Sequence, residues 1–176
     1  MTDTRVDLAI AGSCVRVVQV TDTHLEERRG GTLLGMDTDA SLAHVLDLVR
    51  DAPLRPDLLL ATGDLANHGA EAAYVRVRES FDALGLPWFW LPGNHDDARV
   101  IQEGFTAAPY WPLLELGAWR VISLNTAQPD AVGGHLADDE LDFLAHCLTR
   151  DPLSPTLLFM HHPPIPVGCA WLDTQR

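Results

Sequence analysis

Residues 15–24 read Val-Arg-Val-Val-Gln-Val-Thr-Asp-Thr-His. Val15–Val20 is short, apolar and β-branched, so it reads as a strand, and polar residues follow it at once. Downstream, Asp39 can cap a helix over Ala40–Arg50, with Leu42, Val45, Leu46 and Val49 on one face; Pro53 and Pro56 end it. Leu58–Ala61 reads as a buried strand and Glu71–Leu84 as a helix stopped by Gly85. Pro87–Leu91 is an aromatic strand, Asp97–Glu103 a short helix and Trp119–Leu124 another strand. Ala137–Leu148 reads as a helix with Leu141, Leu144, Ala145 and Leu148 on one face, and Thr156–Met160 as the last strand. Strands alternating with helices predict an α/β fold with largely parallel pairing.

The 176 residues suit one domain spanning 1–176, and 47% hydrophobic with 21% charged residues excludes a disordered tail or coiled coil. The formal charge is −13, from 25 acids against 12 Lys+Arg. Such a surface repels nucleic acid polymers and anionic membranes, and an anionic ligand needs local positive charge, for which a metal ion is the obvious source. Cys14, Cys147 and Cys169 fit no zinc or disulfide spacing and read as small buried hydrophobes in a reducing cytoplasm. The start of the chain carries Asp3, Arg5 and Asp7 rather than a signal peptide, and no apolar run reaches membrane-spanning length.

In α/β folds ligands sit beyond the carboxyl ends of strands. Here those ends deliver Thr21-Asp22-Thr23-His24, Thr62-Gly63-Asp64, Gly93-Asn94-His95-Asp96 and His161-His162-Pro163-Pro164. Carboxylate, amide and imidazole donors together suit manganese, iron, cobalt or zinc. Asp22 and His24, two apart on a loop, can reach one ion, and a carboxylate such as Asp64 can bridge two. Gly63 and Gly93 allow tight turns behind these residues. Taken singly, each motif reads as an ordinary turn or cap; four in succession at strand ends point to a metal site.

Asp-x-His, Gly-Asp, Gly-Asn-His-Asp and His-His-Pro-Pro, in this order from about Val15 onward, resemble the calcineurin-like metallophosphoesterases. Gly31–Thr38 (GTLLGMDT), Leu60–Leu65 (LATGDL) and Pro163–Asp173 (PPIPVGCAWLD) resemble the bacterial class III cyclic-nucleotide phosphodiesterases, which hydrolyse 3′,5′-cyclic AMP to AMP. The resemblance implies a four-layer αββα sandwich with two mixed sheets. It implies two metal ions, iron or manganese first and zinc or cobalt as alternatives. Asp22 and His24 would bind the first, Asp64 would bridge, and Asn94 with His161 would bind the second; His162 is the alternative to His161. His95, oriented by Asp96, would act on the leaving oxygen as general acid or hydrogen-bond donor while a metal-bridging hydroxide attacks phosphorus. The substrate contacts would be Asn94 and His95, and the partner a cyclic nucleotide or another small phosphodiester, glycerophosphodiesters and 2′,3′-cyclic nucleotides included.

The family pattern also ends in a Gly-His-x-His motif that supplies one further histidine to each metal. This sequence has none; Gly134-His135 is followed by Leu136-Ala137. The resemblance therefore predicts a domain truncated at its C-terminal side, with an exposed sheet edge open to association, including a homodimer, and an inactive fragment as the competing reading. His68 and Asn67 are candidate substrate contacts, and Trp171 a candidate wall of a nucleotide pocket. Trp88, Trp90, Trp111 and Trp119 read as core, and His44, His135 and His146 as surface or boundary residues.

Overall fold

The computed structural model describes residues 5–8, 14–104 and 110–174; Asp3 lies outside them. The chain forms β1 (Arg5–Asp7), β2 (Val17–Val20), a small hairpin of β3 (Thr32–Leu33) and β4 (Met36–Asp37), then α1 (Thr38–Arg50) and β5 (Leu58–Thr62). It continues through α2 (Glu71–Asp82), β6 (Trp88–Leu91), α3 (Ala98–Gly104), β7 (Leu113–Leu116), β8 (Trp119–Ser123), α4 (Asp138–Arg150) and β9 (Thr156–Phe159), ending in a 3₁₀ turn at Leu172–Thr174. Among the described residues, no helix is long and apolar enough to cross a membrane.

One sheet has the order β2-β5-β6, parallel throughout; the other has the order β1-β7-β8-β9, with the β7–β8 hairpin antiparallel and the rest parallel. The two-residue alternation of strand side chains sorts the core into three layers. Leu59, Ala61, Trp88 and Trp90 pack with Leu42 and Leu46 of α1 and Tyr74, Val77 and Phe81 of α2. On the opposite face of the same strands, Leu58, Leu60 and Phe89 meet Leu114, Leu116 and Val121 of the second sheet. That sheet turns Leu113 and Ile122 outward, against Phe143, Leu144 and Cys147 of α4. The order helices, sheet, sheet, helix is an αββα sandwich. With both faces covered, every residue of Leu58–Thr62 is buried, which explains the unbroken apolar run Leu58–Ala61.

Four details depart from the sequence reading. The cap of α1 is Asp37, whose carboxylate accepts from the Ala40 N–H at 2.9 Å, while Asp39 lies inside the helix and pairs with Arg76 at 2.8 Å. The inner face of α4 is Phe143, Leu144 and Cys147; Leu141 and Leu148 are exposed, because the helix turns its bulkiest ring to the sheet. Cys147 is buried as expected, but Cys14 and Cys169 are exposed. Trp119 opens β8 beside the hairpin turn, where nothing covers it, and is 50% exposed.

Candidate metal centre

The parallel strands β2, β5 and β6 end side by side, so the residues after them share one rim. Pairing continues past the strand ends: Asp22 N–H donates to Gly63 O (3.0 Å), His24 N–H to Asp64 O (2.9 Å) and Leu25 N–H to Leu65 O (3.0 Å). Asp22, His24 and Asp64 all take left-handed backbone angles, with φ of 56°, 43° and 52°. Each such residue costs about 1–2 kcal/mol, and the surrounding bonds hold the strain where these side chains must converge.

Asp64 lies at the centre and is almost fully buried. Its Oδ2 is 3.5 Å from His24 Nε2, and its Oδ1 is 3.5 Å from His161 Nε2. Asp22 Oδ1 lies 3.8 Å from His24 Nε2. The ligand atoms form two groups that share Asp64: His24–Asp64–His95 and Asp22–Asp64–His161, each within 4.8 Å. Two donors each about 2.1 Å from one ion lie roughly 3.0–3.4 Å apart, so these spacings suit atoms arranged around ions better than direct hydrogen bonds. Among the described residues, His24 Nδ1 is the one buried side-chain nitrogen or oxygen without a partner. The polar partners of this ring among the described residues therefore lie on its Nε2 side. The donor set and its spacing fit a pair of divalent ions.

The charges are mutually supportive. His24 lifts off its ordinary value through Asp22, against burial, and holds the Asp22 carboxyl down in return. Burial pushes Asp64 up, but His161 and the His95 N–H (3.0 Å to Oδ1) outweigh it and keep the carboxyl low. His161 is pushed up to about 9: burial opposes its charge, and Asp64 overcomes the burial.

The two adjacent histidine rings pack edge-on, with centroids 4.9 Å apart, yet their nitrogens bond in different directions. His161 donates Nδ1–H to Thr62 O across the two sheets (2.9 Å), which aims Nε2 at Asp64. His162 is buried, with Nδ1 on Thr126 Oγ1 (2.7 Å) and Nε2–H on Val132 O (3.0 Å). Both its nitrogens are engaged away from the cluster.

His95 is exposed, and its ring packs edge-on to His24 with centroids 4.8 Å apart. Its Nδ1–H donates to Asn67 O at 2.9 Å. Asn67 is itself fixed, its amide donating to Glu26 Oε1 (2.7 Å) and lying 3.2 Å from His68 Nε2. Asn94 is half-buried between Gly93 and His95, next to Asp64. Asp96 does not orient the His95 ring. Its carboxylate turns inward, where it accepts from Leu65, Ala66 and Gly93 N–H groups and from Tyr74 OH. Trp171 is 68% exposed. A cavity of about 280 Å³ opens beside Asp22 and His24, walled by Leu33, Met36, Leu42 and Val45.

Sequence reasoning missed Thr62, which acts through its backbone carbonyl and so leaves no residue-type signal. It also missed Tyr74, whose apolar helix position masks a buried hydroxyl.

A sandwich whose strand ends pool carboxylates and imidazoles around one shared aspartate is the architecture of a metallophosphoesterase domain. The chain belongs to the calcineurin-like phosphoesterase family, whose model matches residues 15–176. It is 38% identical over 160 residues to the 3′,5′-cyclic adenosine monophosphate phosphodiesterase CpdA of Pseudomonas aeruginosa, covering 90% of this chain and 59% of that protein. It is 36% identical over 170 residues to the CpdA of Escherichia coli K12, covering 94% and 62%. A probable glycerophosphodiester phosphodiesterase, GpdQ, of Arcobacter nitrofigilis is 28% identical over 167 residues, covering 91% and 61%. The chain thus spans about three-fifths of the length of these curated relatives.

Proposed function

We propose that residues 1–176 belong to a catalytic domain that hydrolyses 3′,5′-cyclic AMP to AMP with two metal ions. The observation that carries this reading is the division of Asp64, one oxygen toward His24 and the other toward His161. The cyclic-AMP phosphodiesterases among the relatives support the substrate.

Asp22, His24, Asp64, Asn94 and His161 would hold the ions, iron or manganese, with zinc or cobalt as alternatives. When bound, the ions supply the positive charge that an acidic chain lacks and make water a better nucleophile. The remaining steps belong to the chain. Asn94 would offer its amide to an equatorial phosphoryl oxygen. Water oxygen adds to phosphorus as the bond to the 3′ oxygen breaks. His95 keeps Nδ1–H on Asn67 O and would pass a proton from Nε2 to the departing 3′ oxygen. The proton released by water goes to solvent, and His95 is reprotonated from it. No covalent intermediate forms.

The GpdQ relative favours a second reading, a broader phosphodiesterase acting on glycerophosphodiesters. Turnover of 3′,5′-cyclic AMP, 2′,3′-cyclic AMP and glycerophosphocholine with manganese supplied separates the two. A kcat/KM highest for 3′,5′-cyclic AMP supports the first. A preference for glycerophosphocholine replaces it with the second, and no turnover of any of the three refutes both for this chain.

A further inference from the structure

We infer that Tyr74 and Asp96 form a buried positioning pair that sets the metal centre; this rests on the metal site proposed above. Asp96 ties together two loops that are 30 residues apart in sequence. Its Oδ1 accepts from Leu65 N–H and Ala66 N–H, both at 3.0 Å, and its Oδ2 accepts from Gly93 N–H at 2.9 Å. Leu65 directly follows Asp64, and Gly93 directly precedes Asn94. One carboxylate therefore holds the backbone beside a residue from each loop that would hold the ions.

Tyr74 adds the third side. From α2, its hydroxyl donates to Asp96 Oδ1 (3.0 Å) and accepts from Asp97 N–H (2.9 Å), and its ring is fully buried. The packed helix thus fixes the carboxylate, and the carboxylate fixes the loops. Asp64 needs such a hold. At φ 52° it sits in a strained conformation, and the two N–H groups that follow it are the ones Asp96 captures. Gly93 must come close for this to work: a methyl group there would overlap Asp64 Oδ1 and the Asp64 backbone nitrogen. Neither Tyr74 nor Asp96 directs a side-chain atom at the ions or substrate, so both act through Asp64 and Asn94.

The test is Mn²⁺ binding by calorimetry, with the electron paramagnetic resonance spectrum of the bound ions, on the wild type, Tyr74→Phe, Asp96→Asn and Phe81→Leu. Tyr74→Phe keeps the ring and its packing; it is expected to weaken Mn²⁺ binding 3–10-fold and to broaden the signal of the coupled pair. Asp96→Asn, which puts an NH₂ against an N–H donor, is expected to weaken binding about 10–100-fold, the range for residues behind metal ligands. Phe81→Leu, in the same core but away from the loops, is expected to lower stability and leave binding within twofold. If Tyr74→Phe binds Mn²⁺ as the wild type does with an unchanged spectrum, the positioning role is wrong, and a loss in Phe81→Leu equal to that in Tyr74→Phe also overturns it. If the wild type binds no Mn²⁺, the metal site itself fails and takes the inference with it. Should Asp96→Asn not fold, Tyr74→Phe decides alone.

Discussion

Gly63→Ala tests how tightly the two sheets are joined at the site. Gly63 has φ 99°, and a Cβ added there would lie 2.5 Å from His161 Nδ1 and 2.8 Å from Gly93 N. Two costs follow. The backbone angle alone costs about 1–2 kcal/mol for a residue with a side chain. The methyl group then forces the His161 ring off Thr62 O, losing a hydrogen bond worth about 0.5–1.5 kcal/mol, and presses on a backbone nitrogen with little room to move. The sum is about 1.5–3.5 kcal/mol. Gly35→Ala isolates the first cost, because Gly35 has φ 84° and nothing lies within 4 Å of its added Cβ. Urea unfolding of the metal-free protein should show Gly35→Ala losing about 1–2 kcal/mol and Gly63→Ala about 0.5–1.5 kcal/mol more. Gly63→Ala should also weaken Mn²⁺ binding, while Gly35→Ala should not. Equal losses in the two variants, with Mn²⁺ affinity intact in both, would refute the account of how His161 is placed.

Further outcomes separate the remaining residues. His161→Gln should lose Mn²⁺ affinity at least tenfold, whereas His162→Gln should chiefly lower the unfolding midpoint by releasing Thr126 and Val132; calorimetry and urea titration read the two effects. His161 and His24 are both raised, and His161 titrates near 9 against an ordinary 6.5. The His161 contribution to metal-free stability is therefore full below about pH 6.5 and lost as pH rises through about 9, with His24 acting in the same direction, and urea midpoints between those values should show a decline. Mn²⁺ binding should move the other way, tightening over the same range and releasing protons into a weakly buffered solution. A thiol reagent should label Cys14 and Cys169 in the native protein and reach Cys147 only on unfolding, as mass spectrometry of the labelled peptides would show.

Much of this site was legible because its signals are local. Each motif follows its strand within a few residues, so the alternation of strands and helices placed Asp22, Asp64 and Asn94 on one rim. Apolar periodicity gives an α/β fold with largely parallel pairing; the four-layer sandwich comes from the family resemblance, and the structure covers Leu58–Thr62 on both faces. What escaped were features carried by backbone or by long-range register. β7 is Leu-Leu-Glu-Leu, without β-branched residues, and its strand character comes from pairing with β8. The β3–β4 hairpin turns through Leu34 at φ 50° and Gly35, an unusual place for leucine. The choice of His161 over His162 rests on the resemblance rather than on residue type, and the structure turns His161 Nε2 to within 3.5 Å of Asp64. Asp96 sits beside His95 in sequence, yet its carboxylate turns to the Leu65, Ala66 and Gly93 amides, because a buried charge settles where donors are densest.

The central claim is a two-ion centre built on Asp64. Elemental analysis of the purified 176-residue chain, loaded with manganese and freed of excess, tests it most directly. The account predicts about two ions per chain, falling to about one or none in Asp64→Ala. A wild-type value near zero, or a value unchanged by Asp64→Ala, would contradict it.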